Sequence, residues 1–494
     1  MSRGYVWAIS FVSGACVMAL ELCASRVVSP WFGSSISVWA NVIGLILLAL
    51  AAGYFIGGRW AERSPSSATL AKVLLVAGAL SAAIPFIAPS MAKTFTEALA
   101  RVNGESLVRT GSFLLVALLF FAPMLLLGMV SPFAVKLLAK DHAGDTAGKV
   151  FALSTVGSLL GTFAPAFWLI PSFGTRATVM LASSLLMAVA LPGLLEGRWR
   201  LLSPAPLMLV PLVAHWPMKP AQGQLAAVES PYQFIVVDEA NGERALRFDD
   251  GRYAQSRERA DTPFTGGYWD TLFGLPALTA AEKPKVLILG AGVGTAARGM
   301  IETRPEGALE VTAVELDPEV LELGRRYFSL GRLGDRLKLE VGDARHFLNR
   351  TRESYDLIFL DCYANERYVP PHLATQEFFS LAAEHLAPGG ILVVNVNAAT
   401  QGSPLVASFV QTMRQALPVV ERFDVPKRWN RELIAAREPL QWERARGRLP
   451  ESLKPKWDDL LTWRVDASGE GGMVLTDDRV PVEQLIDAEA MQGL

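Results

Sequence analysis

Cysteine is scarce in this chain: only Cys16, Cys23 and Cys362 occur, and none stands at a spacing that would close a disulfide framework or ligate a metal. Such usage suits a reducing compartment, and no metal cofactor is expected. An excess of either charge is also missing, with 46 Lys and Arg against 48 Asp and Glu. No basic run with interleaved aromatics is present, so nucleic-acid binding is not expected. Charge is thin overall, 19% against 51% apolar residues, which is too greasy for a wholly soluble protein and too charged for a wholly embedded one. In a chain of 494 residues, too long for one ordinary core, that average hides two unlike halves.

The first half supplies long apolar stretches. A helix needs about 20 apolar residues to cross a hydrocarbon core, and segments 5–23, 36–56, 70–88, 113–138, 150–170 and 177–195 meet that requirement. A cleaved signal peptide would be a single short apolar region, so residues 1–218 are expected to be a multi-pass α-helical membrane bundle surrounded by lipid, of the bacterial inner-membrane type. A seventh candidate, 201–218, carries Pro204, Pro206, Pro211 and Pro217, which interrupt a helix. Placing the N-terminus in the cytoplasm puts nine Lys and Arg inside, among them Arg3, Arg59, Arg63 and Lys72, against five outside. With six spans the second half is cytoplasmic; an outside N-terminus with seven spans is the alternative. Glu21 and Arg26, near the end of the first span, read either as a polar ligand site in the bundle or as headgroup-zone charges, paired or snorkelling. Gly53, Gly57, Gly58, Gly157 and Gly161 suit close helix packing. They would serve contacts within one chain or between chains, which leaves a homo-oligomer open.

After Pro220 the pattern changes to short strands with turn signals. Asn241-Gly242 between 232–238 and 245–248 marks a β-hairpin, and Asp250-Gly251 begins a second turn. Strand-like 286–289, 311–314, 337–341, 357–360 and 391–396 then alternate with helix-like stretches, which predicts a parallel sheet with right-handed crossovers. The expected organisation is a hairpin subdomain over 219–265 and an α/β Rossmann-like domain of the S-adenosylmethionine methyltransferase type over 266–494. In the first crossover the strand 286–289 runs into Gly290, Gly292 and Gly294, which let backbone approach a ligand. Glu315, about 20 residues beyond the loop, is placed to accept both hydroxyls of a ribose. Gly342-Asp343-Ala344 ends the third strand with an acid placed to accept from an adenine amino group. Three such strand ends fit an adenosyl ligand without phosphates. Asp361, after the fourth strand, stands at the carboxyl edge of the sheet, where open α/β folds bind ligands.

Together these residues resemble the spermidine synthases, the polyamine aminopropyltransferases, over about 230–398. The resemblance includes Ser230-Pro-Tyr-Gln233, Asp250-Gly251, Gln255 and Tyr268 besides the glycine loop, Glu315, Asp343 and Asp361. The first half is similar to the membrane extension of some bacterial members in Glu21 with Arg26, Phe32-Gly33-Ser34 and Gly57-Gly58-Arg59, and 476–483 is similar to their tail. The resemblance implies aminopropyl transfer from decarboxylated S-adenosylmethionine to a small-molecule amine. It implies that Gln233, Gln255, Glu315, Asp343 and Ala344 hold the nucleoside, while Tyr268 and Asp361 face the acceptor and Asp361 is the base.

Three positions depart from the family. Val293 stands where soluble members have the Asp that grips the cofactor's terminal amine, Ala364 where they have a diamine-binding Asp, and Trp269 where His is usual. Each lost charge-assisted contact is worth about 1.5–3 kcal/mol, which argues against putrescine as acceptor. Val293 would not repel the carboxylate of S-adenosylmethionine itself, so methyl transfer is an alternative reading. A transporter or sensor with a non-catalytic nucleoside domain is another.

Overall fold

The computed structural model describes residues 3–33, 35–99, 104–139, 143–195, 200, 202–208, 210, 223–249, 253–363, 369–398, 400–467 and 471–486. Among the sequence markers, Ser34, Asp250, Gly251, Ala364 and 211–222, which includes most of the seventh apolar candidate, lie outside these residues. The chain divides into two units, Met1–Pro220 with Ala227–Phe234, and Ala221–Ala226 with Ile235–Leu494, so that residues 219–265 are shared between them.

The first unit is helical: α1 (Arg3–Phe32), α2 (Ile36–Arg63), α3 (Ser67–Leu99), α4 (Gly104–Gly128), α5 (Val130–Leu138), α6 (Ala143–Ala164) and α7 (Ile170–Ala190). Five segments are long and apolar enough to cross a membrane by length and composition. The fifth, Ala143–Gly193, contains two of the six expected spans. They are joined through a π-helical turn at Pro165–Leu169 and a break at Gly174, whose φ of 80° only glycine adopts easily. The described part of the seventh candidate holds a 3-10 turn at Ala205–Met208. Glycines set the helix contacts. A Cβ on Gly157 or Gly161 would collide with the carbonyl oxygens of Phe11 or Ala15 on α1, and one on Gly53 with Leu125 on α4. Gly57 likewise faces Met129, at 2.6 Å, whereas Gly58 meets nothing nearer than 3.9 Å and is not a packing glycine. These contacts are made within one chain. Glu21 and Arg26 form no ion pair with each other among the described residues; the Arg26 guanidinium donates instead to the carbonyl of Pro231.

After the helices the chain forms two sheets. Strands β1 (Gln224–Glu229), β2 (Phe234–Ala240), β3 (Glu243–Phe248) and β4 (Ala254–Arg259) form a four-stranded sheet in that order, so the expected hairpin is the centre of a larger sheet. Asn241 and Gly242, at φ 53° and 75°, make the β2–β3 turn, a two-residue turn with positive φ at both positions that matches strand twist. The larger sheet comprises β5 (Lys285–Leu289), β6 (Glu310–Glu315), β7 (Leu337–Val341), β8 (Tyr355–Leu360), β9 (Leu386–Asn397), β10 (Val419–Asp424), β11 (Asn430–Ala436) and β12 (Arg464–Val465). Its order is β12-β10-β11-β9-β8-β5-β6-β7. The five expected strands are the parallel core; β10, β11 and β12 extend it antiparallel. From β5 the chain moves outward through β6 and β7, then returns to β8 on the other side. The strand order therefore reverses between β5 and β8, and their carboxyl ends flank the crevice where open α/β sheets bind ligands.

Candidate active site

Four strand ends meet at this crevice. After β5 the loop turns through Gly290, Gly292 and Gly294, at φ 92°, 51° and 89°, into the helix α9 (Thr295–Glu302), which follows α8 (Trp269–Leu272). Side chains are excluded there by more than φ: a Cβ on Gly290 would strike the Asp361 carbonyl, one on Gly292 the Ser256 hydroxyl, and one on Gly294 would lie 2.6 Å from Leu330. Gly290 and Ala291 donate to the Val314 carbonyl at 2.9 and 3.0 Å, tying the loop to the end of β6.

Glu315 ends β6 and is buried. Its carboxyl accepts from the Gly292 amide at 2.8 Å and from the Asp317 amide at 3.1 Å. Burial outweighs these bonds and pushes its pKa up to about 7. Asp343 ends β7 and caps the helix α11 (Ala344–Arg350), which follows α10 (Pro318–Tyr327); one oxygen accepts from the His346 amide at 2.8 Å and the other meets His372 Nε2 at 2.7 Å. The His372 bond holds Asp343 below its usual range. Ala344, the first residue of that helix, is buried. Burial raises the pKa of the Cys362 thiol, and the charges of Glu315, Asp361 and Asp343 add to the rise.

Asp361 follows β8. Its amide is fixed by the Leu289 carbonyl at 2.9 Å. Oδ2 accepts from the Tyr268 hydroxyl at 2.7 Å and Oδ1 from Asn395 Nδ2 at 2.8 Å, with Trp269 hydrogen-bonded as well. Burial raises the Asp361 pKa and these donors pull it back. Burial and the adjacent Asp361 hold the Tyr268 phenol well above its ordinary range, so it is a proton donor and not a base. Tyr268 is placed by Asp270, whose carboxyl accepts from Thr265 and Gly266 amides at 2.8 and 2.9 Å and so fixes the loop before α8. Trp269, the departure from His, stacks on Tyr268 at 4.3 Å between ring centroids.

The two glutamines differ in what surrounds them. Gln233 is buried just before β2, with its backbone bonded to the Ser230 hydroxyl. Gln255 lies on β4 at a bulge, because Leu246 and Arg247 face Ser256 and Ala254 and leave Gln255 without a partner on β3. Bulges re-aim a side chain and are frequent beside functional sites. The neighbouring Ser256 is the β4 residue that touches the glycine loop, accepting from the Val293 amide at 3.3 Å. Val293 itself is buried and presents no charge.

Sequence reasoning missed Ser256, His372, Asn395 and Glu432. Asn395 had a signal, a polar residue inside the apolar strand 391–396. Its register partner on β11 is Glu432, which is fully buried. Tyr363 adds to this wall by donating to the Asn395 carbonyl at 2.7 Å.

Residues 266–428 match the family model described as the spermine/spermidine synthase domain. A probable polyamine aminopropyl transferase of Bifidobacterium longum is 29% identical over 281 residues, covering 52% of this chain and 61% of that one. The chain thus spans about three fifths of that relative's length. A polyamine aminopropyltransferase of Mycobacterium tuberculosis is 26% identical over 443 residues, 84% of this chain and 81% of the relative, so the likeness there extends into the helical half. A solved probable spermidine synthase from Corynebacterium glutamicum aligns with a TM-score of 0.41 at 22% identity, over 52% of this chain and 97% of the other. Residues 266–428 thus carry the likeness to the spermine/spermidine synthase domain, and the likeness to polyamine aminopropyltransferases runs beyond them on both sides.

Proposed function

We propose that this chain is a membrane-anchored transferase that moves the aminopropyl group of decarboxylated S-adenosylmethionine to an amine. The observation that carries the reading is Asp361, a buried carboxylate fixed by Tyr268 and Asn395 directly beside the glycine loop. Near pH 7 only about one alkylamine in a thousand is neutral, so a fixed proton acceptor is useful. The amine nitrogen attacks the carbon next to the sulfonium. A carbon–nitrogen bond forms as the carbon–sulfur bond breaks, the electron pair stays on sulfur, and the ammonium proton passes to Asp361. Positioned acids and bases contribute about 10²–10⁴-fold, and holding the amine in line supplies much of the rest. In this reading Gly290, Gly292 and Gly294 give room for the nucleoside, Glu315 takes the ribose hydroxyls, Asp343 and Ala344 the adenine, and Gln233 and Gln255 complete its binding. Tyr268 holds Asp361 and the acceptor.

The membrane part of the proposal rests on the five apolar segments and on side chains such as Leu47, Leu118 and Phe167, exposed at 57%, 59% and 77% on helices that carry almost no charge. Exposed apolar surface on that scale needs a covering, and lipid is the covering that suits it. Six spans with the N-terminus in the cytoplasm put the transferase domain where its nucleoside substrate is made.

Methyl transfer from S-adenosylmethionine is the second reading, favoured by one observation: Val293 is buried and apolar and offers no carboxylate to a cofactor amine. Calorimetry on the detergent-solubilised full chain separates the two. Tighter binding of the decarboxylated cofactor is expected, and preference for S-adenosylmethionine would replace aminopropyl by methyl transfer. An Asp361→Asn variant should bind the nucleoside while turnover falls about 10²–10⁴-fold; undiminished turnover would remove Asp361 from the chemistry.

A further inference from the structure

Glu432 stands in β11 directly opposite Asn395 of β9. Residues directly opposed in an antiparallel pair put their side chains on the same face of the sheet. Asn395 uses that face to donate to Asp361 at 2.8 Å, so the Glu432 carboxyl is directed to the side of the sheet that carries Asp361. Glu432 is fully buried, and among the described residues neither of its carboxyl oxygens has a hydrogen-bond partner. Asn430, two residues earlier on the same strand, has its amide engaged elsewhere: Nδ2 donates to Asn395 at 3.1 Å and to Asn397 at 3.0 Å. A buried carboxyl lacking both a donor and a cation is rare, because desolvating it without compensation is strongly unfavourable. A group of this kind marks a place for a ligand. Burial raises the Glu432 pKa well above the ordinary carboxylate range and the like charge of Asp361 adds to the rise, while Glu432 adds in turn to the burial-driven rise of Tyr268 and Tyr363. What is missing from such a set is a donor carrying positive charge.

We propose that Glu432 is the second carboxylate of the acceptor site and takes the far ammonium of a polycationic amine whose reacting nitrogen is held at Asp361. The inference rests on the transferase reading given above. It also bears on the sequence departures: Ala364 removes one diamine-binding carboxylate, and Glu432 returns one from a different strand. The acceptor is then an amine with at least two cationic centres, and a monoamine fills only half of the site.

The test uses the full chain in detergent with decarboxylated S-adenosylmethionine, and compares kcat/KM for 1,4-diaminobutane and for butylamine in wild type and Glu432→Gln. Wild type should favour the diamine at least tenfold, and the variant should lose that preference. Because the readout is a ratio of two substrates in one protein sample, a general loss of folded enzyme does not move it. A preference that survives the substitution within twofold, or a wild type that uses both amines equally, overturns the role of Glu432 and leaves the transferase reading standing. Binding of the nucleoside with no transfer to either amine overturns both.

Discussion

Glu315 is the most exposed to test of the individual residues because its chemistry depends on pH. Burial lifts its folded-state pKa from the ordinary 4.5 to about 7, so the folded chain holds this proton more tightly than the unfolded one. Its contribution to stability is complete below about pH 4.5 and is lost as the pH rises through 7. In the proposed site the ribose hydroxyls would donate to the ionised form. Nucleoside binding therefore expels the proton, and affinity should rise with pH by up to about tenfold per unit until it levels above 7. Calorimetric titration with methylthioadenosine between pH 5.5 and 8 checks this, and a Glu315→Gln variant should bind more weakly with a flat profile. A wild-type affinity independent of pH would mean that Glu315 does not meet the ribose. The strand-end positions of Glu315, Asp343 and Asp361 were legible in the sequence because each stands at or just beyond a strand end at a fixed point in the crossover pattern. Their partners were not: His372 reaches Asp343 from 29 residues away and Asn395 reaches Asp361 from 34, and no local spacing announces such contacts.

Elements were legible in proportion to how uniform their surroundings are. Of the five parallel strands, β5, β6, β8 and β9 are largely buried and read as mainly apolar runs, whereas the edge strand β7 interleaves Lys338 and Glu340 with its apolar residues. Likewise β10, Val419–Asp424, mixes charged and apolar residues at the sheet margin, where one side of the pattern is lost. β1 carries only intermediate burial along most of its length and gave no period to detect. In the helical half the apolar stretches were visible, but the continuity of Ala143–Gly193 was not, because Pro165, Pro171 and Gly174 look like a loop. A single helix contact can be tested on the glycines. Gly161→Leu forces α1 and α6 apart, since a Cβ there meets the Ala15 carbonyl, and should lower stability by about 1–3 kcal/mol or more. Gly58→Ala, with 3.9 Å of clearance, should be neutral or slightly stabilising. Thermal unfolding in one detergent measures both, and equal effects would contradict the packing described for α1 and α6.

At the scale of the whole molecule the sequence separates an apolar half from a charged one, and the two compact units follow that division, with a short exchange around 221–234. Composition gave this directly, since it needs no contact information. It did not give the acceptor, which depends on where side chains from β9 and β11 come together. If the helical half is an integral membrane domain, the full chain should stay with membranes after alkaline carbonate extraction and be released only by detergent. Release by carbonate would leave the exposed side chains of α2, α4 and the π-helical turn to be explained by another partner. The central claim is that the glycine loop, Glu315 and Asp343 form one nucleoside site leading to Asp361. A structure of the detergent-solubilised chain with methylthioadenosine tests it most directly. The expected result is ribose hydroxyls on Glu315, adenine at Asp343 and sulfur directed to the Tyr268–Asp361 pair; methylthioadenosine bound elsewhere, or with its sulfur turned away from Asp361, would contradict it.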